Sequence, residues 1–182
     1  MNWFLSHCPV NLSNMSTHRQ CTINLHNKTT NYRMQDPLVY IVSGTSSEPP
    51  PPPPPPRPAL DPSESGSALF IKTAYTACGS LAVFTYDLVE IFSMQFLGRV
   101  AVMFSVPYDF NFHSNWYGVG MFRKDIPCDA NLFNLMYEEE ETTFVRGRAS
   151  GSSLVYRGND VTIRATMSDS YQPVLKVEVC DN

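Results

Sequence analysis

Apolar and polar residues alternate over much of this chain, which is the pattern of β-strands with one buried face. In the clearest run, Val100, Val102 and Phe104 share one face, and Ser105 lies on the other. Pro107 ends this run because proline has no N–H to donate to a neighbouring strand. Similar segments recur at residues 20–27, 68–72, 80–89, 98–105, 116–123, 152–157, 160–167 and 174–179. After a turn region at residues 27–36, the segment at residues 37–44 is apolar on both faces and is expected to be a strand that is covered on both sides. About ten strands at short spacing predict an all-β protein, a β-sandwich.

One segment has helical rather than alternating spacing. Leu132, Phe133, Met136 and Tyr137 recur at intervals of three and four residues, and Asp129 ahead of them is a typical N-cap residue. The sandwich is therefore predicted to be flanked by one or two short α-helices. This helix would end in the four carboxylates of residues 138–141, which oppose the helix macrodipole and are expected to be solvated.

Two stretches have no strand or helix pattern. Residues 1–19 are polar and are predicted to be a flexible tail ahead of one domain at residues 20–182. Within that domain, eight consecutive prolines from Pro49 to Pro56 predict a surface loop over residues 49–67, because polyproline II has no internal hydrogen bonds. The stretch from Pro49 to Pro58 includes Arg57 and could be a ligand for a proline-binding domain, although low-complexity loop expansion is the simpler interpretation.

Composition and charge narrow the possible functions. The net charge of −4 argues against nucleic acid as a partner and against binding driven mainly by anionic lipid. The five cysteines are widely spaced and odd in number, so free thiols are expected. GxSxG, HExxH, P-loop and GxGxxG patterns are absent, which predicts a protein without enzymatic activity, metal or cofactor. The chain start lacks a charged n-region and an apolar h-region, so no signal peptide is expected and a cytoplasmic location is possible.

The segment after Pro107 carries five aromatic residues in ten positions, interleaved with polar residues: Tyr108, Phe110, Phe112, Trp116 and Tyr117. Rings in such a loop either pack into the core or meet a ligand or membrane. Aromatic faces hold trimethylammonium groups, and Trp and Tyr favour the membrane interface. Both alternatives remain open from the residues alone.

The same segment, SVPYDFNFHSNWYG, resembles the SVPYD…SNW signature of the actinoporins, the pore-forming cytolysins of sea anemones, and of the actinoporin-like proteins of fish. The resemblance extends through CGSLAVFTYDL, CDANLFNLMYEEE and VTIRATM…VLKVEV, roughly residues 20–181. It implies a sandwich with a lipid-binding platform built from the aromatic loop and the helix.

The resemblance also implies a site for phosphocholine, the head group of sphingomyelin. Ser43 and Ser105 would bind the phosphate, Pro107 would shape the pocket, and Trp116 and Tyr137 would contact choline. Leu81 stands in this pocket where the family has valine. The rings and side chains expected at the membrane interface are Phe112, His113, Trp116 and Tyr117.

Several positions depart from the family pattern. His113, Glu141 and Thr142 replace tyrosines of the platform, which removes phosphate donors and choline-binding rings. The family's Arg-Gly-Asp turn is Arg146-Gly147-Arg148 here, so no role of that turn is carried over. Residues 1–19 contain a proline and show no sustained amphipathic stripe, whereas a helix that spans a bilayer needs about 20 residues.

The function implied by the resemblance is that of a pore-forming cytolysin-like protein. It would bind phosphocholine or sphingomyelin head groups, oligomerise with copies of itself on a target cell membrane and open a cation-permeable pore, after secretion. The alternative is a lipid- or glycan-binding, lectin-like module that does not permeabilise membranes.

Overall fold

The structure is a computed structural model that describes residues 19–45, 56–73 and 76–182. The described part contains eleven strands and one helix. The strands are β1 Gln20–Lys28, β2 Tyr32–Ser43, β3 Ala59–Leu60, β4 Ser65–Ile71, β5 Ser80–Glu90, β6 Phe96–Val106, β7 Trp116–Phe122, β8 Phe144–Arg148, β9 Leu154–Arg157, β10 Val161–Met167 and β11 Val174–Asp181. The helix α1 spans Ala130–Glu138, between β7 and β8. Most of the predicted tail and most of the proline run lie outside the described residues.

Two sheets form the predicted β-sandwich. One has the strand order β4-β1-β11-β10-β9 and the other β3-β2-β5-β6-β7-β8. All neighbouring strands are antiparallel except β1 and β11, which pair in parallel from Thr22 opposite Val174 to Lys28 opposite Cys180. The all-β sandwich with a short flanking helix is therefore confirmed.

Two apolar cores follow from the alternation of residues along the strands. Val100, Val102 and Phe104 of β6 face the interior between the sheets, where they meet Ile163 and Val177 of the opposite sheet. The other face of β6 forms a second, smaller core with the helix, in which Met103 packs with residues such as Phe133 and Met136. Because both faces of β6 are covered, every residue from Gly98 to Val106 is buried.

The helix begins where its capping residue predicts. The Asp129 carboxylate accepts hydrogen bonds from the backbone N–H groups of Asn131 at 2.9 Å and Leu132 at 3.0 Å. Such a cap is worth about 1 kcal/mol. Leu132, Phe133 and Met136 then cover the outer face of the six-stranded sheet.

Several sequence-based expectations are wrong in detail. Strand β8 and the two-residue β3 were not predicted, and β2 starts at Tyr32 within a segment expected to be a turn. The segment from Leu38 to Ser43 was expected to be covered on both faces, yet Leu38 is 45% exposed. Cys21, Cys128 and Cys180 are free thiols as expected, whereas Cys78 is disulfide-bonded.

Within the described ranges, no helix is long and apolar enough to cross a bilayer. The same ranges contain no group of three or more His, Cys, Asp or Glu side chains placed to hold a metal ion.

Candidate functional site

Most of the predicted head-group residues form one row across the six-stranded sheet. Strand pairing places Ser43 beside Leu81, Leu81 beside Ser105, and Ser105 beside Trp116. Arg148 of β8 continues the row beyond Trp116. Residues far apart in the chain therefore become neighbours. The side chains of Leu81 and Ser105 are 7% and 2% exposed, so they lie at the bottom of the candidate head-group site rather than at its solvent-exposed edge.

Tyr137, in the last turn of α1, lies over this row. Its ring stacks on Phe133 with centroids 5.7 Å apart and meets the edge of Trp116 at 6.4 Å. The Ser105 hydroxyl is hydrogen-bonded to the Tyr137 side chain, and burial raises the pKa of Tyr137. The structure thus brings together the phenol, the hydroxyl and the indole that the resemblance assigned to the head group.

Two arginines of β8 lie against the Trp116 ring. The guanidinium carbons of Arg146 and Arg148 are 5.0 and 5.4 Å from the ring centroid. Arg146 also donates hydrogen bonds to the carbonyl oxygens of Tyr137 and Glu138, the latter at 3.2 Å, at the C-terminal end of α1. Cations at a helix C-terminus are favourable because the dipole places partial negative charge there. Guanidinium groups thus already occupy the π-system that was expected to contact choline.

Pro107 is buried at the point where β6 ends and the aromatic loop begins. The chain before β5 approaches it so closely that residue 79 must be glycine. A Cβ atom at Gly79 would lie 2.1 Å from the Val106 carbonyl oxygen and 3.0 Å from the Pro107 Cα. Ser43 joins the same region through a 3.0 Å hydrogen bond to the Gly79 carbonyl.

Arg19 fastens the loop of residues 107–115 to the sandwich. Its guanidinium donates to the Tyr108 carbonyl at 2.6 and 2.9 Å and lies 4.3 Å from the centroid of the Tyr171 ring. Burial lowers the pKa of Arg19. Although residue 19 was predicted to end a flexible tail, its side chain is only 6% exposed.

The neighbouring loop, residues 168–173, completes this end of the molecule. The buried Asn115 side chain donates to the Ser170 carbonyl at 2.8 Å, and the Phe110 ring lies 5.1 Å from that of Tyr171. Phe112 and Tyr171 project outward, 82% and 54% exposed. We call Phe110, Phe112 and Tyr171 the aromatic end. Tyr171 was missed from the sequence, where a single tyrosine in the polar turn SDSYQP carries little signal.

The prediction that Tyr117 lies at the membrane interface is wrong. Tyr117 is 1% exposed and lies in the core between the sheets, where its hydroxyl donates to the Ser152 carbonyl at 3.3 Å. Burial raises its pKa. Neighbouring residues of a strand face opposite sides, so Trp116 and Tyr117 cannot both lie on the helix side. Phe112 and His113 are exposed, as that role requires.

Comparison with known proteins agrees with this geometry, first at the level of fold. The structure of the lipid-binding protein Nakanori superposes with a TM-score of 0.67, covering 88% of this chain and 70% of that one at 9% identity. At that identity the likeness shows a shared sandwich fold. A sequence model of the family described as sea anemone cytotoxic protein matches residues 66–180, well over half of the chain. The chain therefore belongs to that family, the actinoporin family, as its motifs predicted.

Individual relatives match shorter segments. Echotoxin-2 of Monoplex parthenopeus is 30% identical over 89 residues, 44% of this chain and 32% of the relative. Bryoporin of Physcomitrium patens is 29% identical over 110 residues, 59% of this chain and 54% of the relative. DELTA-alicitoxin-Pse1b of Phyllodiscus semoni is 34% identical over 61 residues, 34% of this chain and 24% of the relative. The matches thus span from about a quarter to about half of the relatives' own length.

Proposed function

We propose that this protein is a cytolysin-like protein that binds membrane lipid through its aromatic end. The exposed Phe112 ring is the observation that carries this proposal, because it projects from a loop whose base is fixed to the sandwich. Transfer of a phenyl side chain out of water contributes about 1.5–3 kcal/mol. Because Arg19 already holds the loop, little conformational freedom is lost when the ring inserts.

The row beneath Tyr137 is the proposed head-group site. Ser43, Ser105 and the Tyr137 phenol supply hydroxyl groups for a phosphate, and the Arg148 guanidinium lies at the end of the row. Because Arg146 and Arg148 already contact Trp116, we expect choline to bind more weakly than on a ring with free faces. We therefore propose that ring insertion contributes most to the free energy of lipid binding, phosphate contacts contribute less, and choline contact contributes least.

Family membership extends this proposal to the steps after lipid binding. We propose that the membrane-bound protein, after secretion, associates with further copies on a target membrane and permeabilises it, without enzymatic activity or a cofactor. The alternative is a lipid-binding module that does not permeabilise. The replacement of platform tyrosines by His113, Glu141 and Thr142, together with the arginines at Trp116, favours altered head-group preference in either case.

The experiment measures binding and leakage in parallel. Co-sedimentation and dye release are followed with vesicles of sphingomyelin and phosphatidylcholine, phosphatidylcholine alone, or phosphatidylcholine with an anionic lipid. Phe112→Ser and Tyr171→Ser are compared with the control Phe92→Ser, which removes an equally exposed ring, 83% exposed, from the opposite end of β6. We expect Phe112→Ser to weaken vesicle binding about 10-fold and Tyr171→Ser less, with no effect of Phe92→Ser.

Each outcome has a defined meaning. Binding with leakage supports the full cytolysin function, whereas binding without leakage supports the non-permeabilising module. Equal binding by Phe112→Ser and the wild type would remove the aromatic end from the interface. Absence of binding to all three vesicles would overturn the proposed function.

A further inference from the structure

Positive charge collects on the face of the molecule opposite α1, although the net charge of the chain is −4. The outward positions of the five-stranded sheet carry four cationic side chains, and Arg57 adds a fifth at its β4 edge; the four are Lys28, Arg157, Arg164 and Lys176. Against these five cations stand Glu178 at an outward position, exposed Asp181 at the end of β11 and exposed Glu64 directly before β4. This face therefore has the opposite sign to the molecule as a whole.

A cavity of about 650 Å³ opens on this face. It is lined by residues from three strands and from the edge: the polar and cationic Asn24, His26, Arg57, Ser65, Ser67 and Lys176, the carboxylate of Glu178, and Leu25, Gly66 and Val177. Strand pairing arranges them in two rows, with His26 between Ser65 and Glu178, and Asn24 between Ser67 and Lys176. The volume lies within the range of small-molecule sites, roughly 300–1,000 Å³.

The cations of this cavity are largely unneutralised. Glu178 forms an ion pair with Lys28, in which the charged atoms are 2.6 Å apart. Among the residues that the structure describes, Arg57 and Lys176 form no ion pair, and neither does Arg164 in the neighbouring strand. Unpaired cations around hydroxyl and amide groups leave the cavity matched to an anion that also carries hydroxyls.

We propose that this cavity binds a sulfated sugar unit of an anionic polysaccharide. Arg57 and Lys176 bind the sulfate groups, and Ser65, Ser67 and Asn24 exchange hydrogen bonds with ring hydroxyls. No Phe, Tyr or Trp is among the residues that line the cavity, which disfavours single-stranded nucleic acid, because its bases need stacking partners. No exposed apolar side chain lines it either, which disfavours insertion into a membrane. The site is separate from the aromatic end and does not depend on lipid binding.

The test titrates the full chain with a fully sulfated heparin tetrasaccharide and with the same tetrasaccharide after desulfation, by isothermal titration calorimetry. The variant Arg57→Gln/Lys176→Gln is compared with Arg123→Gln/Lys124→Gln, which removes the same net charge from the exposed segment after β7. We expect binding of the sulfated form only, weakened at least about 10-fold by the first variant, unchanged by the second, and reduced by added salt.

Three results would overturn the proposal: no heat with the sulfated probe, equal affinity for both probes, or equally weakened binding in both variants. Equal weakening would mean that binding depends only on the overall charge of the protein. Binding of the same face to a single-stranded oligonucleotide more tightly than to the tetrasaccharide would assign it to nucleic acid instead. Vesicle binding by Arg57→Gln/Lys176→Gln, measured in parallel, is expected to equal that of the wild type. Thermal unfolding checks that both variants fold, which is expected because all four positions are exposed.

Discussion

The two ends of strand β6 present almost equally exposed phenyl rings in very different surroundings. Phe92, in the turn of residues 91–95, is 83% exposed, and Phe112, in the loop of residues 107–115, is 82% exposed. The turn is closed by its own bonds, with Glu90 N–H donating to the Gln95 carbonyl at 2.9 Å and Ser93 N–H donating to the Glu90 carboxylate at 2.6 Å. The loop is held by other segments, through Arg19, Asn115 and Tyr171.

Exposure alone therefore does not explain why Phe112, and not Phe92, is the proposed lipid contact. Phe92 stands next to an ionised carboxylate, whose transfer toward a bilayer is costly. Phe112 lies two residues from Phe110, whose ring is 5.1 Å from that of the exposed Tyr171, and aromatic rings favour the membrane interface. The surroundings of a ring, rather than its exposed area, distinguish the proposed lipid contact from an ordinary turn residue.

The substitution with the largest expected effect on stability tests whether the two ends of strand β6 are independent of each other. Near the turn, buried Arg99 donates to buried Asp87 at 2.8 Å and to the Ile126 carbonyl at 2.8 Å. Asp87→Ala leaves the Arg99 charge buried without its partner, so we expect the free energy of unfolding to fall by about 3–5 kcal/mol. Urea denaturation measures this loss. Vesicle binding by the remaining folded protein should be unchanged, and a loss there would show that the ends are coupled.

An intermediate effect is expected from the residue that holds the loop. Arg19→Met removes two hydrogen bonds to Tyr108 and the contact with Tyr171, each worth about 1 kcal/mol. We expect amide hydrogen exchange to rise in residues 107–115 and 168–173 but not in the turn of residues 91–95. Lys124→Met, which also removes a cation from an aromatic contact, serves as the control. Unchanged exchange in the loop would mean that Asn115 and the ring contacts hold it without Arg19.

The smallest expected effect is a change in the pKa of Glu90, whose carboxylate helps to close the turn of residues 91–95. Hydrogen bonds from Ser93 lower the pKa of the Glu90 carboxyl below its usual value. A carboxyl with a lowered folded-state pKa contributes stability above its unfolded pKa, and that contribution is lost as the pH falls through the folded value. Ser93→Ala should therefore raise the Glu90 pKa toward its usual value in an NMR titration. An unchanged titration curve would contradict the role of Ser93.

Much of the fold could be predicted because burial imposes alternation directly on the sequence. The two faces of β6 and the cap at Asp129 depend on neighbours in the chain, and both are as expected. Strand β8 was missed because its sequence, FVRGR, has two arginines and a glycine in five residues and lacks a clear apolar face. Those same two arginines lie against Trp116, so the missed strand is the one that changes the proposed head-group site.

The residues of the candidate site could be predicted only from the resemblance to the actinoporins. The row from Ser43 to Trp116 depends on the register of four strands, including a bulge in β2, which no local pattern encodes. Tyr171 and Arg19 come from segments far from the aromatic loop in sequence, so only the folded chain shows that they support it. The burial of Tyr117 is the exception, since period-two alternation from Trp116 would have placed it inside.

The parallel pairing of β1 with β11 also determines how the sandwich responds to mechanical load. Gln20 and Asp181, the outer ends of these two neighbouring strands, lie at opposite ends of the sheet. A force applied between them acts along the strands and loads the hydrogen bonds between Thr22–Lys28 and their partners in shear, all at once rather than one after another. This strand pair therefore resists stretching between these two points more strongly than a pair whose hydrogen bonds would break one after another.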